Sequence, residues 1–163
     1  MKKYIITTLI IFLLPSICLS DISGKVSKVS DGDTIWILQD NKKIKVRLLG
    51  IDAPEMNQDF GKNSQEILQN LIANRTVTII GNKKDRYQRL IGKVSFEGKD
   101  INLLMVMHGA AWHYKKYQSD QSQQEQILYA NEELKARQDQ KGLWQNLNPV
   151  PPWEWRKENI KRK

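Results

Sequence analysis

From Ile22 onward the chain alternates apolar and polar residues in short runs bounded by turn residues. ISGKVSKVS (22–30) alternates around Val26 and Val29, and TIWIL (34–38) is dense in strand-forming side chains. IKVRLLGI (44–51) places Ile44, Val46 and Leu48 on one face and Lys45, Arg47 and Leu49 on the other, the period of two of a strand. QDNKK between the second and third runs reads as a turn, with Asn41 able to take a left-handed backbone. Three strands in succession predict a meander. The pattern then changes to helical spacing over 64–74, where Ile67, Leu68, Leu71 and Ile72 share a face. TVTII (76–80) and LIGKVSF (90–96) return to strand. Asp100 is placed to cap a short helix, INLLMVMH, that Gly109 stops. AAWHY reads as extended, and SQQE (122–125) has capping-box spacing for a helix running to about Lys141. The ending NPVPPWEWR cannot be helix throughout, because of its prolines.

Five short strands with helices inserted and appended predict an α+β fold: a five-stranded OB-type β-barrel with about three helices. Barrels of this type bind oligonucleotides on one face. The 163 residues suit one domain, with no internal repeat. Residues 1–20 stand apart from it. Lys2 and Lys3 precede an apolar run, and Cys18 and Ser20 fall at the −3 and −1 positions before Asp21. This predicts a cleaved signal peptide and a secreted or periplasmic protein without a membrane span in the mature chain. The readings left beside it are a lipid-modified Cys18, which Ile17 suits poorly, and an uncleaved anchor. The expected divisions are a leader over 1–20, the main domain over 21–146, and a basic Pro/Trp-rich tail over 147–163.

Cys18 is the one cysteine, so the mature chain would hold no thiol. That excludes a disulfide scaffold or a cysteine metal site. The formal charge of +8 suits a polyanionic partner (nucleic acid, anionic lipid or an acidic wall polymer), and taken alone it equally reads as an aid to solubility.

Acids at strand ends are the unusual feature. Asp31 and Asp33 flank Gly32 in DGDT, and Asp52 and Glu55 flank AP in DAPE. In a meander such strand ends lie side by side, and converging carboxylates need a cation; all-oxygen ligation suits Ca²⁺ or Mg²⁺. Each motif alone also reads as an ordinary turn or capping loop. Arg47 and Arg89 carry the planar fork that suits phosphate oxygens, and each alone also reads as a surface arginine. Lys83, Lys84 and Arg86 form a basic run that suits either a phosphate-tracking rim or a solvated loop. His108 and His113 lack a ligand pattern and read as structural.

Taken in order, DGDT (31–34), VRLLGIDAPE (46–55), DRYQRLIGKV (85–94), INLLMVMHGAAWHY (101–114) and KGLW (141–144) resemble the staphylococcal nuclease (thermonuclease) family across nearly the whole mature chain. The resemblance implies a Ca²⁺-dependent endonuclease that hydrolyses DNA and RNA, acting as a monomer. It places Ca²⁺ on the Asp33 and Asp52 carboxylates and the Ala53 carbonyl, with Asp31 supporting them from behind. It makes Glu55 the residue that orients or deprotonates the attacking water. It gives Arg47 and Arg89 the scissile phosphate and Tyr87 and Tyr114 the nucleotide, while Lys84 and Arg86 of the basic run are expected to bind the rest of the substrate. Tyr117 competes with Tyr114 for the stacking role. The family usually has Gly where this chain has Gln88, so the aim of Arg89 is a point to examine. A nucleic-acid-binding barrel without catalysis is the other reading, and the presence of these acids and arginines argues against it.

Overall fold

The computed structural model describes residues 21–160; the expected leader lies outside the described residues. Strands β1 (Ile22–Asp31), β2 (Thr34–Gln39) and β3 (Lys42–Leu48) form the meander. Next come a two-residue strand β4 (Ile51–Asp52), helix α1 (Gly61–Ile72), and strands β5 (Thr76–Lys84), β6 (Leu90–Phe96) and β7 (Lys99–Asp100). Helix α2 (Ile101–Met107), strand β8 (Trp112–His113), α3 (Gln123–Gln138) and α4 (Pro152–Ile160) complete it, with 3₁₀ turns at Lys115–Asp120 and Gly142–Gln145.

The sheet runs β3-β2-β1-β5-β6, and a parallel β3–β6 pairing closes it into a five-stranded barrel. Inward-facing Val26, Ile35, Ile37, Val46, Leu48, Val77, Ile79 and Val94 fill the barrel, and Leu68 and Ile72 of α1 and Met105 and Val106 of α2 pack against it. Val26 and Val29 are both buried although three residues apart, which strict alternation forbids. A register shift between Val26 and Lys28 inserts one residue and turns both valines inward. A second shift follows between Val29 and Asp31, so β1 arrives bent at the acid turn.

The helix signals hold. Asp100 accepts from the Leu103 N–H at 3.0 Å, and Ser122 and Glu125 form a reciprocal capping box. Gly109 takes the left-handed angle (φ 62°) that ends α2. Four α-helices stand among the described residues where about three were expected, because part of the tail is ordered as α4. Pro152 opens it at the first helical position, where its missing N–H costs nothing.

Contacts from α2 and from around β8 carry this scaffold to the strand ends. Asn102 is fully buried; its side chain accepts from Val94 N and donates to Leu49 O at 2.9 Å and Gly92 O at 3.2 Å. It thereby pins the turn between β3 and β4. Asp52 pairs with Trp112 across the β4–β8 ladder, and Tyr114 N donates to Gly50 O at 2.8 Å. On the other side, Gly32 lies so close to α1 that a Cβ there would collide with the Ser64 hydroxyl and the Ala53 methyl. Gly32→Ala is therefore expected to cost about 1–3 kcal/mol by overpacking, measured by urea unfolding, with most of the strain falling on the Asp31–Asp33 turn.

Candidate active site

The two acid turns meet at one end of the barrel. β2 and β3 pair with Thr34 opposite Arg47, so the turn before β2 lies over the end of β3. Leu48 N donates to Asp33 O at 2.8 Å and fixes that approach. The Asp33 carboxylate has partners on both oxygens: Oδ2 accepts from Ala53 N at 2.8 Å and pairs with Arg47 Nη1 at 3.0 Å, while Oδ1 accepts from Thr34 Oγ1 at 3.0 Å. Arg47 Nη2 donates to Asp52 Oδ1 at 2.9 Å. One guanidinium thus joins carboxylates nearly twenty residues apart in sequence. Asp31 stands behind, its Oδ1 accepting from Asp33 N at 3.0 Å.

Burial sets the electrostatics. Asp52 is 1 % exposed and Asp33 6 %. Desolvation pushes Asp31 up to about 7, with the charge of Asp33 adding to it. Burial also holds Asp52 above the ordinary carboxylate range, although Arg156 and Arg47 pull the other way. Negative charge is therefore concentrated here beyond what the solvent can stabilise, and cations are drawn to it.

The second such cation is one that sequence reasoning missed. Arg156, on α4, places Nη2 at 2.7 Å from Asp52 Oδ2 and Nη1 at 2.8 Å from Glu55 Oε1 and 3.2 Å from Asp52 Oδ1. Burial works against its charge, but the hydrogen bonds to Asp52 and Glu55 raise its pKa above the usual arginine value. The tail is held there by further contacts. Trp153 stacks on Tyr114 at 5.3 Å and meets Trp112 edge-on at 5.5 Å. Gln58 accepts from Glu55 N and donates to Val150 O. The local signal for this helix was Pro152 followed by an acid in the first turn, but nothing local points its arginine at residue 52.

The structure thus brings Asp31, Asp33, Arg47, Asp52, Ala53 and Glu55 together. Arg89 is elsewhere engaged: its Nε donates to Asp85 Oδ2 at 2.6 Å. Asp85 also accepts from the Tyr87 and Arg89 N–H groups; despite partial burial, these bonds hold its carboxyl below the usual range. Gln88 takes the left-handed angle itself (φ 62°), so the turn keeps the shape that glycine would allow at lower cost. Tyr87 is exposed, with the Arg86 guanidinium over its ring at 4.7 Å, and Lys84 is exposed on the same loop. Lys83 of the basic run pairs with Asp120. Tyr114 is half-buried at the site, against Tyr117 and Trp153. A cleft of about 350 Å³ opens beside it, lined by Trp112, Lys115, Lys116, Arg137 and Trp153 among others. His113 is buried and shares a hydrogen bond with Gln121; burial lowers its pKa.

The donors at the strand ends are hard oxygens: two buried carboxylates and the Ala53 peptide. They fit a hard dication of the Ca²⁺ or Mg²⁺ kind. Among the described residues, no three His, Cys, Asp or Glu side chains cluster closely enough to hold a metal by themselves. Such an ion would need the peptide carbonyl as well as the acids.

Known proteins are similar to this chain in sequence. The family model described as staphylococcal nuclease homologue matches residues 45–146, which begins within β3 and ends just beyond α3 and its following turn. A protein named "Uncharacterized endonuclease" from Escherichia coli is 43% identical over 157 residues, covering 96% of this chain and 98% of that protein. One of the same name from Haemophilus influenzae is 39% identical over 160 residues, covering 96% of this chain and 86% of that one. A "Micrococcal nuclease" from Shigella flexneri is 36% identical over 147 residues, 85% of this chain and 82% of its own length. Barrel, acid turns and these relatives agree: the chain belongs to the staphylococcal nuclease family.

Proposed function

We propose that this protein is a Ca²⁺-dependent endonuclease that hydrolyses the phosphodiester bonds of DNA and RNA. Family membership supports a nuclease of the hydrolase class; the metal and the substrate range are our reading of the site. The observation that carries it is the buried Asp33–Arg47–Asp52 cluster with Glu55 beside it. A catalytically idle nucleic-acid-binding barrel gives no reason to bury these charges together.

The roles follow from placement. Asp33, Asp52 and the Ala53 carbonyl would hold a dication, which would supply Lewis-acid polarisation of a phosphoryl oxygen. Arg47, already at the carboxylates, donates charge-assisted hydrogen bonds to the phosphate as negative charge builds on it. Glu55 takes a proton from the attacking water. The water oxygen bonds to phosphorus, one P–O ester bond breaks, and the departing sugar oxygen picks up a proton from solvent. Arg89, Lys84, Arg86 and Tyr87 form a basic rim at the β5–β6 turn, where the scissile strand reaches Arg89 only by competing with Asp85. Tyr114 and the basic aromatic cleft beside it offer stacking surface and phosphate contacts without sequence preference.

The test is cleavage of single-stranded DNA and of RNA by the mature chain in Ca²⁺. Activity should vanish when a chelator is added and return when Ca²⁺ is restored in excess. Nucleic-acid binding without cleavage at every Ca²⁺ concentration would establish the idle barrel instead.

A further inference from the structure

We infer that Arg156 is a positioning residue of this active site, and that α4 is a working part of it. The inference rests on Glu55 being the group that handles the attacking water. Glu55 lies on the loop after β4, and its carboxylate is one-third exposed. A glutamate in that setting has many rotamers, and only some face Asp52. The Arg156 fork removes that freedom, because one guanidinium holds Glu55 Oε1 at 2.8 Å and both oxygens of Asp52 at 2.7 and 3.2 Å. The base and the metal-ligating acid are thereby tied at a fixed separation.

The fork is itself located by independent contacts. Trp153, one helical turn before Arg156, packs between Tyr114 and Trp112, and Trp112 is the β8 partner of Asp52. Gln58 links the Glu55 backbone to Val150 at the approach to α4. The helix is therefore keyed to both sides of the catalytic loop. Fixed reacting geometry is worth much in rate, since a misplacement of about 1 Å costs on the order of 10²-fold.

The experiment compares the full mature chain with Arg156→Gln, Arg156→Lys and Trp153→Ala. Arg156→Gln should lower kcat by about 10–10²-fold while KM for single-stranded DNA changes little. Arg156→Lys keeps the charge without the fork and should recover part of the loss. Trp153→Ala keeps the guanidinium but removes the packing that locates it, and should lower kcat in the same direction. In metal-free protein, Arg156→Gln should speed amide exchange at residues 55–58 and leave the barrel strands protected. A kcat within twofold of wild type, or unchanged exchange at 55–58, overturns the inference. So does a kcat that rises while Ca²⁺ binding, followed by calorimetry, tightens: Arg156 would then be an obstacle to the metal. A wild-type chain that cuts nothing in Ca²⁺ overturns the nuclease reading, and this one with it; a chain that cuts, with Arg156→Gln equal to it, overturns this one alone.

Discussion

Glu55→Gln is expected to leave the barrel folded and to reduce phosphodiester cleavage by about 10²–10⁴-fold, the usual worth of a positioned base. The substitution is nearly isosteric. An amide oxygen can still accept from Arg156, and the Glu55 backbone still donates to Gln58, so the loop keeps its bonds. The side chain lies outside the barrel core, so little stability is at stake. What is lost is the capacity to take a proton from water. Saturating turnover on single-stranded DNA, read beside a thermal melt, separates the two effects. An unchanged melt with turnover within a few-fold of wild type would show that the proton goes elsewhere.

The second large effect is structural. Arg47→Ala should destabilise the protein by about 3 kcal/mol, near the lower end of the range for breaking a buried ion pair. The low end applies because Asp52 keeps Arg156, and Asp33 keeps the Thr34 hydroxyl and the Ala53 N–H. The two acids would still face each other with one cation fewer. Cleavage should fall by about 10²–10³-fold through the lost phosphate contact. A dication bound by these carboxylates would take over part of the missing compensation. Ca²⁺ at a hundred times its dissociation constant should therefore return about 2.7 kcal/mol, and urea unfolding with and without Ca²⁺ reads this directly. A loss below 1 kcal/mol in the absence of metal would mean that solvent already screens the pair.

Much of this was legible in the sequence because its signals are local. Strand alternation, the Asp100 cap and the Ser122–Glu125 box each involve neighbours within four residues, and each formed where the pattern put it. The acid turns were legible as a place needing positive charge, because carboxylates converging at strand ends repel one another, although each motif alone also reads as an ordinary turn or capping loop. The exceptions share a physical cause. The inserted residue in β1 shows only as a violated alternation, Val26 and Val29 both facing inward. Asn102 looks like a polar residue in a short helix, yet its amide satisfies three backbone groups from two other segments. Arg156 meets Asp52 across more than a hundred residues, and a contact of that span leaves no trace in spacing. Arg89 illustrates the reverse: its partner in the structure is an acid four residues away, which a reading directed at phosphate oxygens passes over.

The parallel pairing of β3 with β6 has a kinetic meaning. Val46, Arg47 and Leu48 are zipped against Leu90, Ile91 and Gly92, segments that the chain brings together only after a long loop has been closed. Such pairings are slow to form, because the ordering entropy must be met before the contacts repay it. Arg47 lies in the middle of that seam, and the turn bearing Arg89 leads directly into it. A refolding population in which the meander has formed but the seam is still open would have most of its strands and no working guanidinium. Recovery of cleavage after denaturation should accordingly lag behind recovery of strand content, with the lag timing the last stitch of the cylinder.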